Sequence, residues 1–117
     1  MHNFKKLDIW IKSMELTKTI YSFTNEFPKN ETYGIISQMR RSALSIPSNI
    51  AEGTGRNSDK ELNKFLNIAL GSSFELETQI ILSYELDMIN NQQFKNLDSK
   101  ISELQKMIIG FKNKIKE

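Results

Sequence analysis

Residues 38–58 read Q-M-R-R-S-A-L-S-I-P-S-N-I-A-E-G-T-G-R-N-S, and the reading of this stretch decides the fold. Ile35, Met39, Ala43, Ile46 and Ile50 recur at i, i+4, i+8, i+11 and i+15, the spacing of one helical face. Into that helix are set an arginine pair, a proline, and then Asn49 and Glu52 beside isoleucines. Polar groups buried in an apolar helix cost free energy unless they are paired, so these residues mark a constraint beyond simple packing. Pro47 has no N–H to give to the carbonyl of Ala43, which predicts a kink. Gly53 and Gly55 are expected to supply the positive φ of a C-cap and turn.

Outward from this segment the pattern stays helical, with no strand-type alternation. The helix through residues 38–53 is expected to begin near residue 30. Ser58-x-x-Glu61 is a capping box for the next helix, which runs to about residue 88 through Leu62, Phe65, Leu66, Ala69, Ser73, Leu76, Ile80 and Tyr84. Ala69 with Gly71-Ser72-Ser73 should make its middle narrow enough for a close neighbour. Asn90 with Gln93 caps a last helix, in which Phe94, Leu97, Ile101, Leu104, Ile108, Phe111 and Ile115 alternate spacings of three and four.

The first helix is expected from Asp8, as N-cap, to about Phe27, stopped by Pro28. It carries two apolar stripes. Leu7, Trp10, Ile11, Met14 and Tyr21 form one, and Ile9, Leu16, Ile20, Phe23 and Phe27 form the other. At about 100° per residue they point nearly opposite ways, which implies burial on both sides. One stripe would face the bundle. The other, Ile9, Leu16, Ile20, Phe23 and Phe27, is expected to meet another copy of the chain. Short connections between four helices give an all-α, antiparallel up-down-up-down four-helix bundle, one domain over residues 1–117.

The 117 residues suffice for a core without staples. With 38% hydrophobic and 26% charged residues the composition is that of a soluble protein. A formal charge of +2 announces no nucleic-acid binder, so any electrostatic footprint must come from local clustering. No cysteine is present, which removes disulfides, thiolate nucleophiles and cysteine-ligated zinc. No signal peptide is recognisable, and no apolar run approaches the about 20 residues of a membrane span. A cytoplasmic location is the expectation.

Catalytic chemistry is largely declined. His2 is the only histidine, which removes Ser-His nucleophile systems and the Glu-x-x-His pairs of di-iron bundles. Glu52, Glu75, Glu77 and Glu85 could offer oxygen ligands, but their spacing resembles no coordination loop. No enzyme activity, cofactor or metal is expected. Gly53-Thr54-Gly55-Arg56 lacks the Lys-Ser/Thr that completes a phosphate-binding loop.

Two readings of the polar residues remain. In the first, Gln38, Arg41, Asn49 and Glu52 form a seam on the third helix with Ser72 and Glu75, and Arg56 nearby, locking register. Asn49→Ala and Glu52→Ala would then each cost about 1–3 kcal/mol. In the second, Arg40, Arg41 and Arg56, joined by Lys60 and Lys64, form a phosphate-contacting patch. No aromatic residue is interleaved with them, so base stacking is not indicated.

Leu7-x-x-Trp10, Phe27-Pro28-x-x-Glu31-x-Tyr33-Gly34, Ser45-Ile46-x-x-Asn49-Ile50-Ala51-Glu52-Gly53 and Phe65-Leu66-x-Ile68-Ala69-x-Gly71-Ser72 together carry a family resemblance. The chain resembles the four-helix proteins encoded in intervening sequences of bacterial 23S ribosomal RNA genes, the S23 ribosomal protein family. That family is itself related to the accessory variability determinant of diversity-generating retroelements. The resemblance implies a homopentamer whose partners are structured RNA or an RNA-binding enzyme, with no membrane role. Ile35 and Ile36 depart from the family by standing where leucine is common. The expectation is a non-enzymatic oligomeric RNA or nucleoprotein scaffold, and the alternative is a protein–protein adaptor with no nucleic-acid role.

Overall fold

The computed structural model describes residues 3–115, with the side chains of Thr32 and Tyr33 outside the description; His2 also lies outside it. Four helices follow a short 3-10 turn at Phe4–Lys6: α1 (Asp8–Thr24), α2 (Ser37–Thr54), α3 (Asp59–Glu85) and α4 (Asn91–Asn113). α1 packs on α2 and α4, and α3 packs on α2 and α4, so the helices form an antiparallel four-helix bundle. α3, with 27 residues, spans about 40 Å at 1.5 Å per residue, which accounts for the 43 Å long axis.

Particular contacts fix the registers. Arg41 meets Glu75 and Ser45 meets Ser72, so α2 rises as α3 descends. Gln105 donates to Glu77 at 3.0 Å and Tyr84 stacks on Phe94 at 4.5 Å, which does the same for α3 and α4. The predicted stripes of α2, α3 and α4 are the core. Met39, Ala43, Ile46, Ile50, Leu66, Ala69, Leu76, Leu97, Ile101 and Ile108 are all fully buried.

α1 corrects its expectation. Ile9, Leu16, Ile20 and Phe27 are buried in the chain's own core, and Phe23 packs against it. The stripe expected to meet another copy is therefore the inner one, and Ile11 and Tyr21 of the opposite stripe are exposed. The inner side of α1 also carries Ser13, Thr17 and Thr24, all buried. Their hydroxyls donate to carbonyls one turn back, Ser13 to Trp10, Thr17 to Ser13 and Thr24 to Ile20. A hydroxyl satisfied by its own helix costs little to bury, and its small size lets helices approach closely. Thr54, Ser73 and Ser83 are buried in the same way.

Thr17 has a second acceptor. Its Oγ1 lies 3.1 Å from the carbonyl oxygen of Ala43, the group that Pro47 leaves without its helical donor. α2 continues through Pro47 to Thr54, and a hydroxyl from α1 stands where the N–H is missing. The chain breaks earlier instead. After α1 it forms a 3-10 turn at Lys29–Glu31 and a π-helical turn at Thr32–Ile36, with non-helical backbone at Gly34. The expected start of the second helix near residue 30 thus gives way to Ser37, and the first helix ends at Thr24 rather than Phe27.

The glycines correct two further expectations. None of them has positive φ; Gly55 caps α2 at φ −84° and Gly53 is inside the helix. A Cβ on Gly53 would stand 2.8 Å from Cβ of Phe65 and 3.0 Å from Cδ1 of Leu62, so Gly53 is required by the contact between α2 and α3. Gly71, expected to narrow α3, faces open space, and the narrow positions are Ala69, Ser72 and Ser73. Among the described residues the positive φ belongs to Asp87, at 60°, in the turn after α3. There Met88 N–H donates to Ser83 and Asp87 N–H to Tyr84, the paired bonds of a Schellman motif, and α3 stops at Glu85 rather than near residue 88. α1 has no side-chain cap, so Asp8 lies in its first turn and is not its N-cap. Ser58 accepts from Glu61 N–H, and Asn90 with Gln93 forms a complete capping box.

Gly53→Ala should destabilise by about 1–2 kcal/mol, overpacking outweighing the better helix propensity, while Gly71→Ala should stabilise by up to about 1 kcal/mol. Urea unfolding of the two variants checks the opposite signs. Thr17→Val keeps the shape and removes the donor to Ala43, and should cost about 1–3 kcal/mol in the same assay.

Candidate nucleic-acid interface

The polar residues of α2 divide by the side of the helix from which they leave. Adjacent residues diverge by about 100°, so Arg40 and Arg41 serve different neighbours. Arg40 turns to α1. Its Nε donates to Thr24 Oγ1 at 2.9 Å, its Nη2 to Asn25 Oδ1 at 2.8 Å, and its guanidinium lies 4.6 Å from the Tyr21 ring centroid. Arg41 turns to α3, where Nη2 meets Glu75 Oε2 at 2.6 Å and Gln38 Oε1 at 2.9 Å.

Along the α2–α3 contact the seam continues through neutral groups. Asn49 Nδ2 donates to the carbonyl and the hydroxyl of Ser45, and Ser45 Oγ is 2.8 Å from Ser72 Oγ. Asn49 therefore reaches α3 only through Ser45. Glu52 stays outside this chain of contacts. It pairs with Arg56 one turn on, at 3.1 Å, with both side chains substantially exposed. Arg56 also covers the Phe65 ring, its guanidinium 4.7 Å from the centroid. Ser42 Oγ and Gln79 Oε1 are buried without a hydrogen-bond partner.

The patch expected from Arg40, Arg41, Arg56, Lys60 and Lys64 is thus taken apart by the fold. The two arginines of α2 are occupied on opposite flanks of that helix, and Arg56 holds Glu52. Lys60 and Lys64 remain together on α3, lining a shallow cleft with Glu61, Asn63 and Asn67. Lys112 and Lys114, which are not part of the expected patch, end α4 at the same end of the bundle. Only the helix order, not local spacing, could have placed them there. Among the described residues no group of three or more acidic or histidine side chains is arranged to hold a metal ion, and no helix is long and apolar enough to cross a membrane.

These features define an all-α antiparallel bundle with a hydrogen-bonded polar seam between α2 and α3. Residues 5–110 match the model of the 23S rRNA-intervening sequence protein family, and the chain belongs to that family. A crystal structure of a protein of unknown function from the S23 ribosomal protein family of Bacteroides thetaiotaomicron is similar, with a TM-score of 0.80 and 26% identity. The match covers 89% of this chain and 97% of that one. No curated protein matches the sequence.

The geometry revises the cost of removing seam residues. Asn49→Ala should cost about 1 kcal/mol for its bonds to Ser45, and Glu52→Ala no more than about 0.5 kcal/mol, because its partner is exposed. Ser42→Ala should be neutral within about 0.5 kcal/mol, since its hydroxyl has no partner to lose. Denaturant midpoints of the three variants, taken at constant slope, test the ranking.

Proposed function

We propose that the chain works as a non-enzymatic, cytoplasmic homo-oligomer that scaffolds RNA or a nucleoprotein, with five copies as the family resemblance implies. The observation that carries assembly is the surface left after the core closes. Among the described residues nine large apolar side chains are at least 39% exposed, including Ile68, Phe74, Ile81 and Leu82 of α3, and Leu86 at its end. Scattered apolar residues are ordinary on a monomer, but their concentration along one helix supports a protein contact there. α3 replaces α1 as the helix offered to other copies. Membership of a family named for ribosomal RNA intervening sequences supports the RNA half of the reading.

Light scattering on a sizing column at micromolar concentration should return about five times the 13.6 kDa protomer mass. A mass of one protomer would end the assembly reading. Leu82→Glu with Leu86→Glu should lower the assembled mass while leaving helical circular dichroism unchanged. If mass is unaltered, α3 is not the contact. An assembly that binds no RNA at low salt would be a protein–protein adaptor.

A further inference from the structure

The antiparallel order collects at one end of the bundle the start of α1, the end of α2, the start of α3 and the end of α4. Four segments far apart in sequence thereby pool their charges. Lys5, Lys6, Lys60, Lys64, Lys112 and Lys114 gather there, and Lys6 and Lys114 line one cleft with Leu7, Asp8 and Phe111. Among the described residues none of these six lysines forms a salt bridge or a side-chain hydrogen bond; Lys5 lies over the Phe4 ring. The carboxylates of this end are Asp8, Glu52, Asp59 and Glu61, and Arg56 already holds Glu52. At the opposite end Glu26, Glu31, Glu85 and Asp87 are balanced by Lys29, Arg40, Arg41 and Lys95, with no comparable excess of cations. A net charge of +2 therefore conceals a polarity along the long axis.

We infer that this lysine end, and not the arginines of α2, is the surface that contacts the phosphate backbone of RNA. The inference rests on the RNA reading above. Lysines on flexible stems suit a polyanion held by point charges, whereas Arg40 and Arg41 are spent on bonds within the chain. Held mainly by point charges, the contact follows the backbone and should discriminate weakly between sequences.

The test uses the full chain and a fluorescein-labelled RNA hairpin with a single-stranded flank. Fluorescence anisotropy is measured at 50 and 200 mM KCl, and a polyglutamate peptide serves as competitor. Replacing Lys60, Lys64, Lys112 and Lys114 by Gln should weaken binding at least about tenfold at low salt. It should also reduce the slope of log affinity against log salt by about 3–4, at about 0.7–0.9 for each of the four lost phosphate contacts. These side chains hold no partner in the fold, so circular dichroism melting should be unchanged. A second variant, Lys112→Gln with Lys114→Gln, should lie between wild type and the quadruple variant.

Wild-type affinity in the quadruple variant, with loss in Arg40→Gln/Arg41→Gln, would overturn the location while leaving the RNA reading intact. Absence of RNA binding by the wild-type protein at 50 mM KCl would overturn both. Tighter binding of polyglutamate than of the RNA at equal charge concentration would identify an acidic protein as the occupant, and also overturn the inference.

Discussion

A carbonyl without a donor lies at the centre of this bundle. Pro47 cannot bond Ala43, and a buried acceptor left unmade costs about 1–3 kcal/mol. The hydroxyl of Thr17 reaches it from α1 at 3.1 Å. That bond requires α1 to lie close against α2 in one register, and small residues along the inner side of α1 allow it. On the other flank Gly53 brings α2 against Phe65 and Leu62 of α3. α2 is thus gripped from both sides at points that admit no extra atom. The larger side chains of the core fill the space that these two approaches define.

Most of the architecture is legible in the residues because spacing and caps are local signals. The Leu97–Ile101–Leu104–Ile108 repeat needs only its own helix to be recognised, and Asn90 with Gln93 needs only one turn. α1 resists such reading because both of its sides carry large apolar residues, and periodicity gives no preference between them. Its buried hydroxyls Ser13, Thr17 and Thr24 do mark the inner side, but as polar residues they argue outward until their carbonyl partners are seen. Gly53 invites the same error. A glycine at a helix end suggests a change of backbone direction, whereas here the missing Cβ is what matters, and the atom it avoids is twelve residues away on Phe65.

The charged residues were harder to place, for a physical reason. Arg40 and Arg41 are neighbours in the chain and strangers in space, while Lys6 and Lys114 are the reverse. A cluster formed by topology leaves no trace in any window of sequence. Most members of the seam between α2 and α3 are legible in the sequence, but Glu52 is not one of them and the wiring is not legible. Glu52 belongs to a solvent-exposed pair, and Asn49 acts through Ser45.

The helices that pack together are mostly consecutive, α1 on α2, α2 on α3 and α3 on α4. Such neighbours close short loops, which favours rapid folding by low contact order. The remaining pairing, α1 with α4, must span nearly the whole chain. It is bridged on its outer side by the exposed Lys12–Glu103 pair at 3.8 Å, a contact of little strength. The bundle is therefore a row of three hairpin contacts completed by one late, slender closure, and that closure is where a transient opening of the native state would begin.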